Sequence, residues 1–178
     1  MKFLKTEFKG LYVIEQKLNF DDRGCFIESF RKDIFDKNLG YSISFCQNNM
    51  VSSKYLVLRG LHFQENPNSQ SKLISVSDGK IMDVAVDIRK NSPTYGKYFS
   101  IELSSDNKKA LFVPKGFAHG YLTLSKKAII NYSVDNYYNK NSEKGISYDD
   151  KNLNINWGFE KNKLIISEKD KNLSDYKW

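Results

Sequence analysis

The sequence predicts an all-β-dominated fold, a β-sandwich or barrel of short strands with a few short helices. Three observations carry that expectation. Apolar residues alternate with period two over Lys80–Arg89, KIMDVAVDIR, as in a pleated strand with two unlike faces. Aromatics make up 14% of the 178 residues, with 11 Tyr and 12 Phe against 3 Pro, a balance that favours pleated, half-buried surfaces. Short apolar runs then recur at regular spacing, separated by polar turns.

In chain order, Phe30–Leu39 reads as a helix, with Phe30, Ile34 and Phe35 on one side and Gly40 as its stop. In Lys80–Arg89, Met82, Val84, Val86 and Ile88 share one face, and Asp83, Ala85 and Asp87 the other. Asp78-Gly79 just before it is a hairpin turn signal. Tyr98–Leu103 and Ala110–Val113 form a strand–turn–strand around SSDNKK. Gly120–Leu124 and Ala128–Val134 form a further pair around Ser125-Lys126-Lys127. Ser167-Glu168-Lys169-Asp170 starts a short capped helix or turn near the C-terminus.

The length suits one domain, 1–178, with a sizeable core. The net charge of +7 admits nucleic acid, an anionic membrane or a phosphorylated small molecule as partner. The lysines are scattered and form no continuous basic stripe, which argues against nucleic acid. No apolar run approaches the roughly 20 residues that span a bilayer, and the N-terminal stretch lacks the apolar core of a signal peptide. A cytoplasmic protein with no membrane partner is expected. Cys25 and Cys46 each lie in an apolar segment and read as buried free thiols in a reducing compartment.

The chain has two histidines. His62 lies in RGLHFQ and His119 in VPKGFAHGY. Both stand near glycines, which let backbone or ligand approach closely. Period two puts His62 and Gln64 on one polar face, with Leu61 and Phe63 opposite. Asp170 alone reads as the third residue of a capped helix start. Tyr132 alone reads as one of many core aromatics with a wet hydroxyl.

RGLHFQ, SKLISVSDGKIMDVAVDIRKNSPTYGKY, FVPKGFAHGYLTLS and NYYNKNSEKGISYDD together resemble the dTDP-4-dehydrorhamnose 3,5-epimerase family. The resemblance runs from about Phe20 to the last residues. It implies a cupin-like jelly roll, a homodimer, a nucleoside-diphosphate 4-keto sugar as substrate, and a place in deoxysugar synthesis for surface polysaccharide. It also implies roles. His62 matches the catalytic base and Asp170 the carboxylate paired with it. Lys72 matches a lysine near the sugar ketone, and Tyr132 the general acid. Arg59 and His119 match substrate contacts. Arg23, Glu28, Gln47 and Asn49 match nucleotide-binding positions, and Tyr138 an aromatic beside the diphosphate. The chain departs from the usual pattern at Asn48, Val51 and Leu56, where Asp, Ser and Gly are common.

The chemistry implied needs those residue types. A 4-keto group acidifies the hydrogens on C3 and C5, because the carbanion delocalises as an enolate. Imidazole has a suitable pKa to remove them, and a carboxylate fixes its tautomer. A lysine stabilises the enolate oxygen, and a Tyr hydroxyl on the opposite face reprotonates carbon. No step requires a cofactor or a metal. With two histidines, and Gln64 where an H-x-H pair would have its second His, a three-His cupin metal site cannot be built. Relatives accept hexoses or heptoses on dTDP or GDP. The alternatives are a C3-only epimerase or ketoisomerase and, in another class, a catalytically silent sugar-binding jelly roll.

Overall fold

The structure, a computed structural model, describes residues 1–177. Strands β1 (Lys2–Lys5) and β2 (Tyr12–Glu15) open the chain, followed by β3 (Leu18–Asp21), β4 (Gly24–Ile27) and helix α1 (Lys32–Leu39). Then come β5 (Gln47–Lys54), β6 (Leu58–Gln64), β7 (Lys72–Asp78), β8 (Lys80–Asp87), β9 (Tyr98–Ser104) and β10 (Lys109–Val113). β11 (Phe117–Thr123), β12 (Lys127–Val134), β13 (Glu143–Gly145), a 3-10 turn (Lys161–Lys163) and α2 (Glu168–Lys171) complete it.

Two antiparallel sheets form the sandwich. One has six strands in the order β1-β2-β10-β7-β12-β5, and the other has five in the order β13-β6-β11-β8-β9. Among the described residues, β3 and β4 pair only with each other, as a two-stranded ribbon. The inner faces meet in one apolar cluster: Ile74, Val76, Leu111 and Ile130 from the six-stranded sheet, and Ile81, Ala85, Leu103 and Phe117 from the five-stranded one.

Both outer faces are also covered. Phe35 of α1 packs with Ile14, Leu73 and Phe112 on the back of the six-stranded sheet. Leu153 and Trp157 of the tail cover Val84, Val86 and Leu122 on the back of the other. Double burial explains why β8 carries apolar residues on both faces, and each fully buried Phe or Leu contributes about 1.5–3 kcal/mol. The predicted helix is present from Lys32, and Gly40 ends it in a left-handed conformation at φ 78°, its N–H bonded to the Asp36 carbonyl.

Three expected pairs are corrected. β7 and β8, β9 and β10, and β11 and β12 are consecutive strands that belong to different sheets. Asp78-Gly79 does reverse the chain, with Gly79 at φ 73°, but the turn carries it across the sandwich. A turn residue sets the reversal, whereas burial of the two inner faces sets the partner. The cysteines are corrected too, since both are exposed. Cys25 lies on the ribbon, where Phe20 and Phe26 are 74% and 68% exposed, so apolar sequence there does not mean burial within this chain.

Candidate active site

A cavity of about 510 Å³ opens between the sheets. Its floor is the inner face of β5, β12 and β7, contributing Gln47, Asn49, Val51, Tyr132 and Lys72. Its opposite wall is β6, β11 and β13, contributing Arg59, His62, Gln64, His119, Tyr121 and Glu143, and α2 adds Lys169 and Asp170. Strand register sets the floor: Lys72 pairs with Val134 and Val134 with Gln47, and one step along Tyr132 pairs with Asn49.

His62 and Asp170, 108 residues apart, meet at 2.7 Å between Nε2 and Oδ1. The Ser167 side chain accepts from the Asp170 N–H and caps α2, so the helix-start and pairing roles of Asp170 coexist. Its other oxygen accepts from the Gly60 N–H at 3.2 Å. Burial alone would push the carboxyl up, but the hydrogen bond from His62, its charge and the Gly60 amide together hold it below the ordinary carboxylate value. An ionised Asp170 only accepts, so His62 donates from Nε2 and keeps its lone pair on Nδ1 when neutral.

Two glycines bring the histidines together. His62 and His119 stand opposite each other in register on β6 and β11, with a register shift beyond them. A Cβ on Gly60, whose φ is 117°, would lie 2.6 Å from the Gly120 Cα and 2.8 Å from the His119 carbonyl oxygen. His119 donates from Nε2 to Asp83, 2.9 Å from each oxygen, and Asp83 is fully buried.

Lys72 is half-buried and extends from the floor to within 3.4 Å of the His62 carbonyl oxygen. Burial lowers its pKa to about 8, against the opposing pull of Asp83 and Glu143. Tyr132 faces the same cavity, and burial raises its pKa, with Arg59 working the other way. Arg59 donates from Nε to the Ser53 hydroxyl, which also bonds to the Tyr121 hydroxyl.

At the outer end, Gln47 donates to Asn49 and accepts from the Tyr138 N–H. The Tyr138 hydroxyl donates to Glu143 at 2.8 Å, and Lys169 approaches the other Glu143 oxygen at 2.6 Å.

The cavity thus gathers His62, Asp170, Lys72, Tyr132, Arg59, His119, Gln47, Asn49 and Tyr138. Arg23 and Glu28 do not line it. Arg23 is on the ribbon side of the chain and pairs with Asp21, its side chain 90% exposed. Sequence reasoning missed Asp83, Glu143, Lys169, Ser53 and Tyr121. Asp83 carried a signal, an acid inside an apolar alternation. Glu143 and Lys169 sat in Lys- and Asn-rich stretches where nothing marked them.

Among the described residues, no group of three or more His, Cys, Asp or Glu is arranged to hold a metal. No described helix is long and apolar enough to cross a membrane.

The family model for dTDP-4-dehydrorhamnose 3,5-epimerase matches residues 5–177. The dTDP-4-dehydrorhamnose 3,5-epimerase of Escherichia coli (strain K12) is 44% identical, over 97% of this chain and 93% of its own length. The solved structure of the dTDP-4-dehydrorhamnose 3,5-epimerase of Elizabethkingia anophelis NUHP1 superposes with a TM-score of 0.96 at 44% identity, covering 99% of this chain and 97% of that one. That of the dTDP-6-deoxy-D-glucose-3,5-epimerase of Legionella pneumophila Philadelphia 1, in complex with dTDP-4-keto-L-rhamnose, gives 0.93 at 40% identity, covering 98% and 92%.

Proposed function

The chain belongs to the dTDP-4-dehydrorhamnose 3,5-epimerase family, and from that premise we propose that it inverts C3 and C5 of a dTDP-linked 4-keto-6-deoxyhexose. One observation carries the mechanism. The His62–Asp170 couple belongs to one wall of the cavity, and Tyr132 stands on the opposite floor. Inversion at carbon needs proton removal on one face and delivery on the other, and two facing sheets supply both.

His62 takes the C3 or C5 proton through Nδ1, and Asp170 stabilises the resulting imidazolium. The electron pair moves into the ketone, and Lys72 stabilises the enolate oxygen. Tyr132, held protonated by burial, donates to the far face of the carbon. Arg59 and His119 bind the sugar diphosphate end, while Gln47, Asn49 and Tyr138 receive the nucleotide.

Arg23 and Glu28 fit this reading in a homodimer. The β3–β4 ribbon exposes Leu18, Phe20 and Phe26, and its apolar side chains become buried if it reaches a second copy, carrying Arg23 to the partner cavity. Each copy then contributes a single jelly-roll epimerase domain, 1–178. Two free thiols, both exposed, suit the reducing cytoplasm.

The test is turnover of dTDP- and GDP-linked 4-keto-6-deoxy sugars, followed by NMR. The expected result is a product inverted at C3 and C5 from the dTDP-linked hexose. Unchanged configuration at both carbons contradicts the proposal.

A further inference from the structure

The floor of the cavity is not uniformly polar. Along β12, Ile130 and Val134 flank Tyr132 on the same face, and Ile130 pairs in register with Val51 of β5. Val51 and Ile130 both line the cavity. Ile130 is 1% exposed, whereas Val51 is half-buried, so Val51 is the member of the pair open to a ligand. Its inward neighbours two residues away are Asn49 and Ser53. Val134, like Ile130, is 1% exposed, so Val51 is the aliphatic side chain on this floor whose carbon a ligand can reach, and it has a use where the ligand presents carbon.

We propose that Val51, backed by Ile130, is the specificity-determining contact for the C6 methyl of the 4-keto-6-deoxy sugar. The inference rests on the epimerase reading. On that reading Tyr132 delivers a proton at each inverted carbon, and when it does so at C5 the methyl bonded to C5 lies beside Tyr132. Side chains one row apart on a sheet face stand about 7 Å from each other, within reach of a sugar ring seated on Tyr132. A methyl against Val51 buries apolar surface. A hydroxymethyl there sets its hydroxyl against aliphatic carbon, because the polar neighbours Asn49 and Ser53 are already bonded to Gln47 and to Arg59 and Tyr121, and a sugar lacking C6 leaves the contact unmade.

The experiment uses three dTDP-linked 4-keto sugars that differ only beyond C5: the 6-deoxyhexose, the hexose with its C6 hydroxyl, and the pentose. Deuterium uptake at C3 from heavy water is the readout, because C3 is common to all three. The intact protein favours the 6-deoxyhexose by about tenfold or more in kcat/KM over each of the others. Val51→Thr, which replaces one methyl by hydroxyl at constant shape, reduces the preference over the C6-hydroxy sugar to about threefold or less. Val51→Ala does the same for the preference over the pentose. Each preference is a ratio within one protein, so any loss of folded protein cancels. Ratios unchanged in both variants overturn the assignment of Val51 while leaving the epimerase reading intact. Absence of C3 exchange by the unaltered protein with the 6-deoxyhexose overturns the epimerase reading itself.

Discussion

Asp170 answers to two local demands at once. It is the third residue of a helix capped by Ser167, and it holds the His62 ring through Nε2. Asp170→Asn keeps the helix start but can present an amide N–H to His62, turning the ring toward the wrong tautomer. A fall in kcat of about 10²–10⁴ with little change in KM is expected from steady-state kinetics. Lys72 gives a pH prediction. As the pH rises through about 8 its ammonium loses the proton, the enolate loses its cation, and kcat falls. Stability moves the other way: between about 8 and the ordinary value of 10.5 the unfolded chain binds the extra proton, so the Lys72 contribution to stability rises with pH. A pH–rate profile for Lys72→Arg should lose the limb near pH 8, because guanidinium stays charged; an unchanged limb would assign it to another group. At this scale much of the site was legible. Two histidines in a 178-residue chain could each be weighed individually, and the resemblance supplied the partner of His62, Asp170, though not Asp83, the partner of His119. Glu143 and Lys169 were not legible, because their pairing joins a short edge strand to the tail and leaves no local pattern.

At the scale of elements, α2 is four residues long, too short to be stable without its cap and its packing. Ser167→Ala should cost about 1 kcal/mol in thermal or urea unfolding. Because Asp170 rides on the same turn, it should lower kcat more than it raises KM. The β6–β11 contact makes a second demand. Gly60→Ala places a Cβ against backbone atoms of β11 at a φ that L-residues rarely adopt, so the strands carrying His62 and His119 must separate. Loss of several kcal/mol of stability, or insoluble protein, is expected. Strands and helices were readable from periodicity and from Gly40, but pairing was not. Asp78-Gly79, the SSDNKK turn and Ser125-Lys126-Lys127 all look like hairpin tips, yet each passes the chain between sheets. Alternation reports that a strand has a buried face, and it carries no information about which sheet that face belongs to.

At the scale of the whole molecule, the sandwich places an acid–base couple and a facing phenol on separate sheets, each stiffened by packing on both faces. The exposed ribbon is the feature that one chain leaves unexplained. If it serves a partner's cavity, mixing Arg23→Ala with His62→Ala dimers yields heterodimers with one doubly altered and one intact site. Activity should return to about one quarter of the unaltered rate; no recovery would return Arg23 to its own chain. The reading of Cys25 failed for the same reason, since burial was judged from neighbouring residues alone, and among the described residues Phe20 and Phe26 beside it stay 74% and 68% exposed. The central claim is that His62 removes the protons. Its most direct measurement is deuterium uptake at C3 and C5 of dTDP-4-keto-6-deoxyglucose in heavy water, compared between the unaltered protein and folded His62→Ala. The account predicts uptake at both carbons in the former and at neither in the latter; equal uptake by the two proteins would contradict it.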